Sequence, residues 1–453
     1  MIDVSFRRFA HLAGLFLVGS VTLSVLPVDA AATGGKCAKA GITQITKGVS
    51  YICVKSGKKN VWKVKPSLVV SNSSTSTSTS TSTSTSTTTT TTIPLYSDPE
   101  ITSVNNLLNV QECRIADVTF SQTSANSSGF PRPGFLRSSL GQIDVLMIPV
   151  NFTDLSYSAA DAEALGTTFS KVNSYFSSMS YGGASVRMTL AASNSWVDVG
   201  GSLEQNGLIN APPQSDGSVL YRKVIEIYSR NNSISGYDVV GVTSAYSTRT
   251  SGGQGMPSGS NSIYGTQKNF SGFQIIGSLT QKWDAIAHEL GHNWLGFEDL
   301  YLFSVPQGGD NRFPFGNWDM MSMSGSEFSG WSRFLADWIA PNWVRCANPR
   351  SQSRHYLSAL NSGKIDDKPR MLVMPLSTNS AVVAEFRVPN EWKTDIMNPT
   401  LVVYQIDTLI NHGNGPIKLV GIIDQKNGTV STDGVIISVI GMDKSGVIIE
   451  VKN

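Results

Sequence analysis

From Ser73 to Thr92 every residue is serine or threonine. A tract of that kind has nothing to bury and cannot offset the entropy lost when its backbone is ordered. Whatever folds in this chain must therefore fold on either side of the tract, as separate parts. In exported proteins such tracts commonly serve as O-glycosylated stalks, and Pro94 closes this one. Residues 67–94 are expected to be a linker.

The N-terminal side reads as an exported leader followed by a small module. Arg7 and Arg8 precede an uncharged apolar run from Leu12 to Leu26, and Val28-Asp29-Ala30-Ala31 follows. This is the pattern of a secretory signal peptide over residues 1–30. The run is too short to cross a bilayer core of about 30 Å as a helix. The expectation is a secreted protein, extracellular or cell-wall associated, with no membrane span once the signal is removed. Export permits disulfides, and among the four cysteines local pairing joins Cys37 to Cys53 while Cys113 and Cys346 bracket the large middle region. Residues 31–66 then form a small basic disulfide module, a hairpin stapled because so short a segment lacks a core of its own. It holds eight lysines and no acid. Those lysines suit an anionic cell-wall polymer or glycan, or they are simply a solvated surface.

Charge also excludes a class of partner. The chain carries a formal +2, so with the leader neutral and the module at +8, residues 67–453 sum to −6. A mildly acidic body lacks the clustered Lys and Arg that phosphate neutralisation requires, so nucleic acid is not an expected partner.

Beyond the linker, apolar patterning alternates between strand and helix. Ile143–Val150 reads as a buried strand, Ala159–Phe176 as a helix, Ser185–Leu190 as a strand, Val219–Tyr228 as a helix and Tyr237–Val242 as a strand. After Cys346 the segments 371–374, 381–386, 401–407, 435–442 and 447–451 are all strand-like, the last two joined in a hairpin by Asp443-Lys444-Ser445-Gly446. The fold class is α+β: a catalytic body over 95–345 and a β-rich C-terminal domain over 346–453.

The chemistry concentrates in Trp283-Asp284-Ala285-Ile286-Ala287-His288-Glu289-Leu290-Gly291-His292. Four residues advance an α-helix by little more than one turn, so His288 and His292 stack on one face and can share one Zn²⁺. Glu289 lies one step round the helix, where it can take a proton from a zinc-activated water and return it to the leaving amine. Chance is a poor explanation, because the chain holds only five histidines. The rival reading, two surface histidines on an amphipathic helix, conflicts with the apolar neighbours Ala285, Ile286, Ala287 and Leu290. A third ligand must come from beyond the helix. No histidine follows closely, His355 being distant and His412 in the β-rich region. Gly296 can end the helix in a left-handed conformation, and Glu298 and Asp299 come next, either of which could reach the metal.

These residues resemble the secreted zinc metallopeptidases of the immune inhibitor A-like family, which read H-E-x-G-H-x-x-G-x-x-D-x-Y. Gly296-Phe297-Glu298-Asp299-Leu300-Tyr301 matches the end of that pattern, with one extra residue between His292 and Gly296. Anchoring on the glycine makes Asp299 the ligand; counting from His292 makes it Glu298. The glycine is favoured because the turn should place the carboxylate. Gly316-Asn317-Trp318-Asp319-Met320-Met321-Ser322 is similar to the family's turn beneath the metal, which implies Met321 as its methionine. Trp331–Trp338, Tyr175-Phe176 with Ser180-Tyr181-Gly182, and stretches near 151–154, 237–240, 384–387 and 403–407 are similar as well, so the resemblance covers roughly 140–410.

What the resemblance implies is a zincin-like metallopeptidase domain over 95–345, a twisted mixed sheet with an active-site helix. Its activity would be zinc-dependent endopeptidase hydrolysis of protein or peptide substrates, with Glu289 as base. Structural Ca²⁺ is common in that family, and the loop at Asp310 and Asn311 is a candidate. Two alternatives stand beside it: an inactive cell-surface binding or adhesion protein on the same fold, and a cell-wall peptide hydrolase. An intact His288, Glu289 and His292 speaks against the inactive form. Tyr181 and Tyr301 are candidate oxyanion donors, and residues 95–140 a candidate propeptide.

Overall fold

The computed structural model describes residues 36, 43–46, 49–57, 59–64, 107–117, 126–209, 218–256, 271–363 and 365–453. The expected signal segment, the linker 67–94 and Cys37 lie outside the described residues. The chain divides into two compact units, Met1–Thr90 and Thr91–Asn453. Among the described residues no helix is long and apolar enough to cross a membrane.

In the first unit, β1 (Thr43–Thr46), β2 (Val49–Ser56) and β3 (Lys59–Val64) form an antiparallel sheet in that order. Cys53 faces Trp62 across β2 and β3, and both are buried. Lys55, Lys59 and Lys63 are exposed.

The second unit is α+β. Its first sheet contains β4 (Gly141–Asn151), β5 (Ala184–Leu190), β6 (Val197–Asp198), β7 (Val239–Ser244), β8 (Ser251–Met256) and β9 (Ser271–Gly277). The order is β5-β4-β7-β9-β8, with β6 also on β4. All pairings are parallel except that of β8, which runs antiparallel along the β9 edge. The continuous apolar run of β4 is explained by cover on both faces. Ile143, Val145 and Met147 pack with α1 (Ala159–Met179) and α3 (Trp283–Leu290), while Leu146, Ile148 and Val150 pack with α2 (Ser218–Ser229). Ser158 and Asp161 cap α1 reciprocally.

Beyond α4 (Gly330–Leu335) the chain builds two more sheets. A five-stranded sheet has the order β10 (Val344–Cys346), β12 (Met371–Pro375), β13 (Ser380–Arg387), β14 (Thr400–Asp407), β15 (Ile417–Ile423). A four-stranded sheet has the order β11 (Ser353–Ser358), β18 (Gly446–Lys452), β17 (Val435–Met442), β16 (Thr429–Thr432). Met371, Val373, Val383 and Tyr404, on one face of the five-stranded sheet, join the core that holds α1 and α3. Leu372, Met374, Val382 and Val403, on the other face, pack on Ile437, Val439, Val447 and Ile449 of the outer sheet. One core thus runs through position 345, and the five-stranded sheet is the middle layer.

Two features lock these layers together. Cys113 and Cys346 form a disulfide, with Cα atoms 5.7 Å apart. Nearby, Phe130 meets Trp331 and Phe334 edge-on at centroid distances of 5.5 and 4.9 Å. Residues 107–117 and 126–140 are therefore woven into the body. The second feature is a fully buried ion cluster in which Arg387 of β13 pairs with Glu327 and with Glu385. Glu385 also accepts from the Gly330 N–H at 2.6 Å and the Tyr404 hydroxyl at 2.8 Å, which ties α4 to the sheet.

Candidate metal centre

Helix α3 carries His288 and Glu289 and ends at Leu290, because the next five residues, Gly291–Leu295, form a π-helical turn. Wider turns of this kind arise where one residue is inserted into a helix. Here the turn widens the helix across His292, up to the reversal at Gly296. Gly296 then adopts φ 72°, a left-handed conformation that glycine enters without strain, and its N–H bonds back to Gly291 and His292. Gly291 is required for a different reason. A Cβ there would lie 2.5 Å from the Met321 sulfur, so the methionine packs directly on the helix backbone.

After the reversal, Asp299 returns to the histidines. Its Oδ1 lies 3.0 Å from His288 Nε2 and 3.3 Å from His292 Nε2, and the two Nε2 atoms are 3.2 Å apart. Glu298 is not in this group and makes no hydrogen bond to either histidine. It is 4 % exposed, and its Oε2 has no hydrogen-bond partner. Burial, reinforced by Asp117 and Asp299, pushes its carboxyl up to about 8. Of the two candidate carboxylates, Asp299 is the one brought to the histidines.

The hydrogen-bond pattern decides what these atoms can hold. His288 Nδ1 lies 3.0 Å from the Met320 carbonyl, and His292 Nδ1 lies 2.7 Å from that of Phe297. A carbonyl only accepts, so each Nδ1 carries the hydrogen and each Nε2 is left as the atom that can take up a proton or a metal ion. Two imidazole lone pairs and a carboxylate oxygen thus converge on one point, and they cannot satisfy one another. Only positive charge can. Burial opposes charging His292, yet Asp299 and Glu289 outweigh it and lift the imidazole to about 9. Burial likewise opposes ionising Asp299, but His292 and His288 hold its carboxyl well below the ordinary range. The donor set fits a small divalent cation. Ligands at about 2.0–2.1 Å in a tetrahedron are about 3.3 Å apart, close to the three separations here. Among the described residues this is the one group of three or more His, Cys, Asp or Glu side chains placed to hold a metal. Asp310 and Asn311 belong to no such group.

The supporting turn is fixed from behind. Asp319 accepts from the Met321 N–H at 2.8 Å, the Ser329 N–H at 2.8 Å and the Ser332 hydroxyl at 2.7 Å. It thereby holds the Met320 carbonyl that orients His288. A cleft of about 540 Å³ opens on the centre, lined by His288 and Glu289, by Ser251 of β8, and by Tyr301, Arg312 and Ser322 from the loop between π-turn and α4. Glu289 is 6 % exposed and its Oε2 has no partner. Burial raises its carboxyl above the ordinary value, against the pull of His292 and His288.

Of the two tyrosines, Tyr301 is the one in the cleft, beside His288 and Glu289, where burial and the nearby Asp299 carboxylate raise its hydroxyl above the ordinary value. Tyr181 is not. Its hydroxyl donates to the Leu360 carbonyl at 2.6 Å, and its ring lies between the guanidinium groups of Arg333 and Arg370. Sequence reasoning passed over Arg312 and the position of His412, and named Ser322 without giving it a place in the cleft. The His412 ring meets Phe303 edge-on at 5.0 Å, on a loop paired with residues 302–303. No local signal marks these residues, since each gains its place through the fold. No protein-family model matches this chain, and no curated protein matches it either.

Proposed function

We propose that the chain is a secreted zinc-dependent endopeptidase with a zincin-like body, as its resemblance to the immune inhibitor A-like family implies. The observation that carries this reading is the convergence of two Nε2 lone pairs and Asp299 Oδ1 beside the buried, unpartnered Oε2 of Glu289. His288, His292 and Asp299 would hold the ion. When bound, zinc supplies Lewis-acid chemistry, polarising a scissile carbonyl and making water a stronger acid.

The remaining work belongs to the protein. Glu289, its carboxyl raised by burial, takes a proton from the attacking water on Oε2 and passes it to the leaving nitrogen. β8, the last strand of its sheet, offers backbone N–H and C=O groups to which an extended peptide can add. Two histidines and one carboxylate also suit non-haem iron, but an acid beside the site and off the metal is what hydrolysis needs. The exposed lysines of the first unit suit an anionic cell-wall polymer.

Casein hydrolysis tests the reading. It should stop with a chelator and return with zinc. Hydrolysis indifferent to chelation, or none with zinc bound, would favour a binding protein on this fold.

A further inference from the structure

The guanidinium groups buried in this protein have carboxylates to face. Arg387 pairs with Glu327 and Glu385, Arg370 with Asp366, and Arg333 lies 3.9 Å from Glu327. Arg312 is different. It is half-buried in the wall of the cleft, its Cζ 4.6 Å from the centroid of the Tyr301 ring. Its Nη1 donates to the carbonyls of Leu302 and Val305, which fixes the side chain. Among the described residues no carboxylate pairs with it. Tyr301 and Arg312 line the same cleft as His288 and Glu289, so the cation shares a wall with the candidate metal site. A stacked, oriented, half-desolvated guanidinium with no counter-charge is a receptor for a planar anion, since its remaining N–H groups match both oxygens of a carboxylate.

From this geometry we infer that Arg312 sets the specificity of the cleft by receiving a carboxylate of the peptide substrate. The carboxylate is either an Asp or Glu side chain near the scissile bond or the free C-terminus of a short peptide. The inference rests on the peptidase reading. Charge balance agrees with it: Asp284, Glu289 and Asp299 alone would repel an anion, but Lys282, Arg312 and a divalent ion held by Asp299 leave the cleft positive. A charged hydrogen bond of this kind favours the carboxylate over its amide by about 10–100-fold.

Two readouts test it. In the first, a synthetic peptide library with free and amidated C-termini is digested by the zinc-loaded protein and the cleavage sites are mapped by mass spectrometry. The expected result is enrichment of Asp and Glu at one fixed position, or cleavage restricted to free C-termini, which tells the two sources apart. Arg312→Gln should erase the preference, Arg312→Lys should keep part of it, and Arg312→Glu should turn it toward Lys and Arg. Cleavage without such a preference, or one that survives Arg312→Gln in folded, zinc-bound protein, overturns the inference and leaves the peptidase reading standing. The second readout needs no turnover. Zinc-loaded Glu289→Gln protein is titrated with fluorescent peptides differing only as Glu or Gln and as free or amidated C-terminus. Carboxylate selectivity that vanishes when Arg312→Gln is added supports the inference even if the wild type cuts nothing, in which case the peptidase reading alone fails. Equal binding of all four peptides overturns it.

Discussion

Two clusters of buried charge lie in the second unit, and they are built on opposite principles. Around Arg387 every strong donor has an acceptor. Glu385 receives Arg387, Gly330 and Tyr404, while Glu327 receives Arg387, Asn361 and Asn390. Burial pulls the pKa of the Arg387 guanidinium down, but the two glutamates outweigh it and raise the pKa above its ordinary value. That cluster is closed. At His288, His292 and Asp299 three lone pairs point at one another, and the backbone already occupies both Nδ1 atoms. That cluster is open: it has no internal donor of its own, and it is placed so that it could hold a metal ion. Buried charge by itself therefore says little about function; the informative feature is whether hydrogen bonding inside the cluster is complete.

The largest effect expected from this difference is in metal binding. Asp299→Ala should lower zinc affinity by more than the roughly 10–100-fold that loss of an outer partner costs, and activity should go with it. Glu298→Ala should keep most of both, because its carboxylate is not among the three ligand atoms that converge and its Oε2 bonds nothing. Zinc measured after dialysis of the two variants decides the point. If Glu298→Ala alone strips the metal, the open cluster has been drawn with the wrong carboxylate.

The closed cluster should respond in stability. Arg387→Met leaves Glu327 and Glu385 buried without their cation, a loss of about 3–5 kcal/mol. Urea unfolding at fixed zinc concentration measures it. The protein that remains folded should bind zinc within tenfold of the wild type. A negligible cost would mean that the closed cluster contributes no more than surface pairs do, and the contrast would collapse.

His355, buried in the outer sheet, is a smaller third case, a titratable group kept neutral. Burial, aided by Arg345, lowers it from 6.5 to about 4. Between those values the unfolded chain binds the proton and the folded chain does not. Its contribution is thus fully present above pH 6.5 and is lost as the pH falls toward 4, by at most about 3 kcal/mol. His355→Gln should flatten stability against pH in that window alone. An unchanged slope would show that the imidazole can charge in place.

Much of this was legible in the sequence, for definite reasons. The strands 371–374, 381–386 and 401–407 are continuous apolar runs, but which side packs on α1 and α3 and which on the outer sheet depends on contacts that no local pattern encodes. β8 escaped notice because Ser251-Gly252-Gly253-Gln254-Gly255-Met256 lacks the branched and aromatic residues that mark a strand. His288, Glu289 and His292 were visible because their spacing is itself the geometry. Choosing Asp299 required trusting Gly296 over a count from His292, and after the reversal at Gly296 it is Asp299 that groups with the two histidines. Arg312 carried no signal at all, since its meaning depends on Tyr301 lying beneath it.

The central claim is that the open cluster holds a metal while Glu289, beside it, moves the proton. Glu289→Gln tests both halves in one preparation, by zinc content and peptide hydrolysis measured together. The account predicts about one equivalent of zinc and turnover reduced by about 10²–10⁴-fold. Zinc lost along with activity, or hydrolysis undiminished, would contradict it.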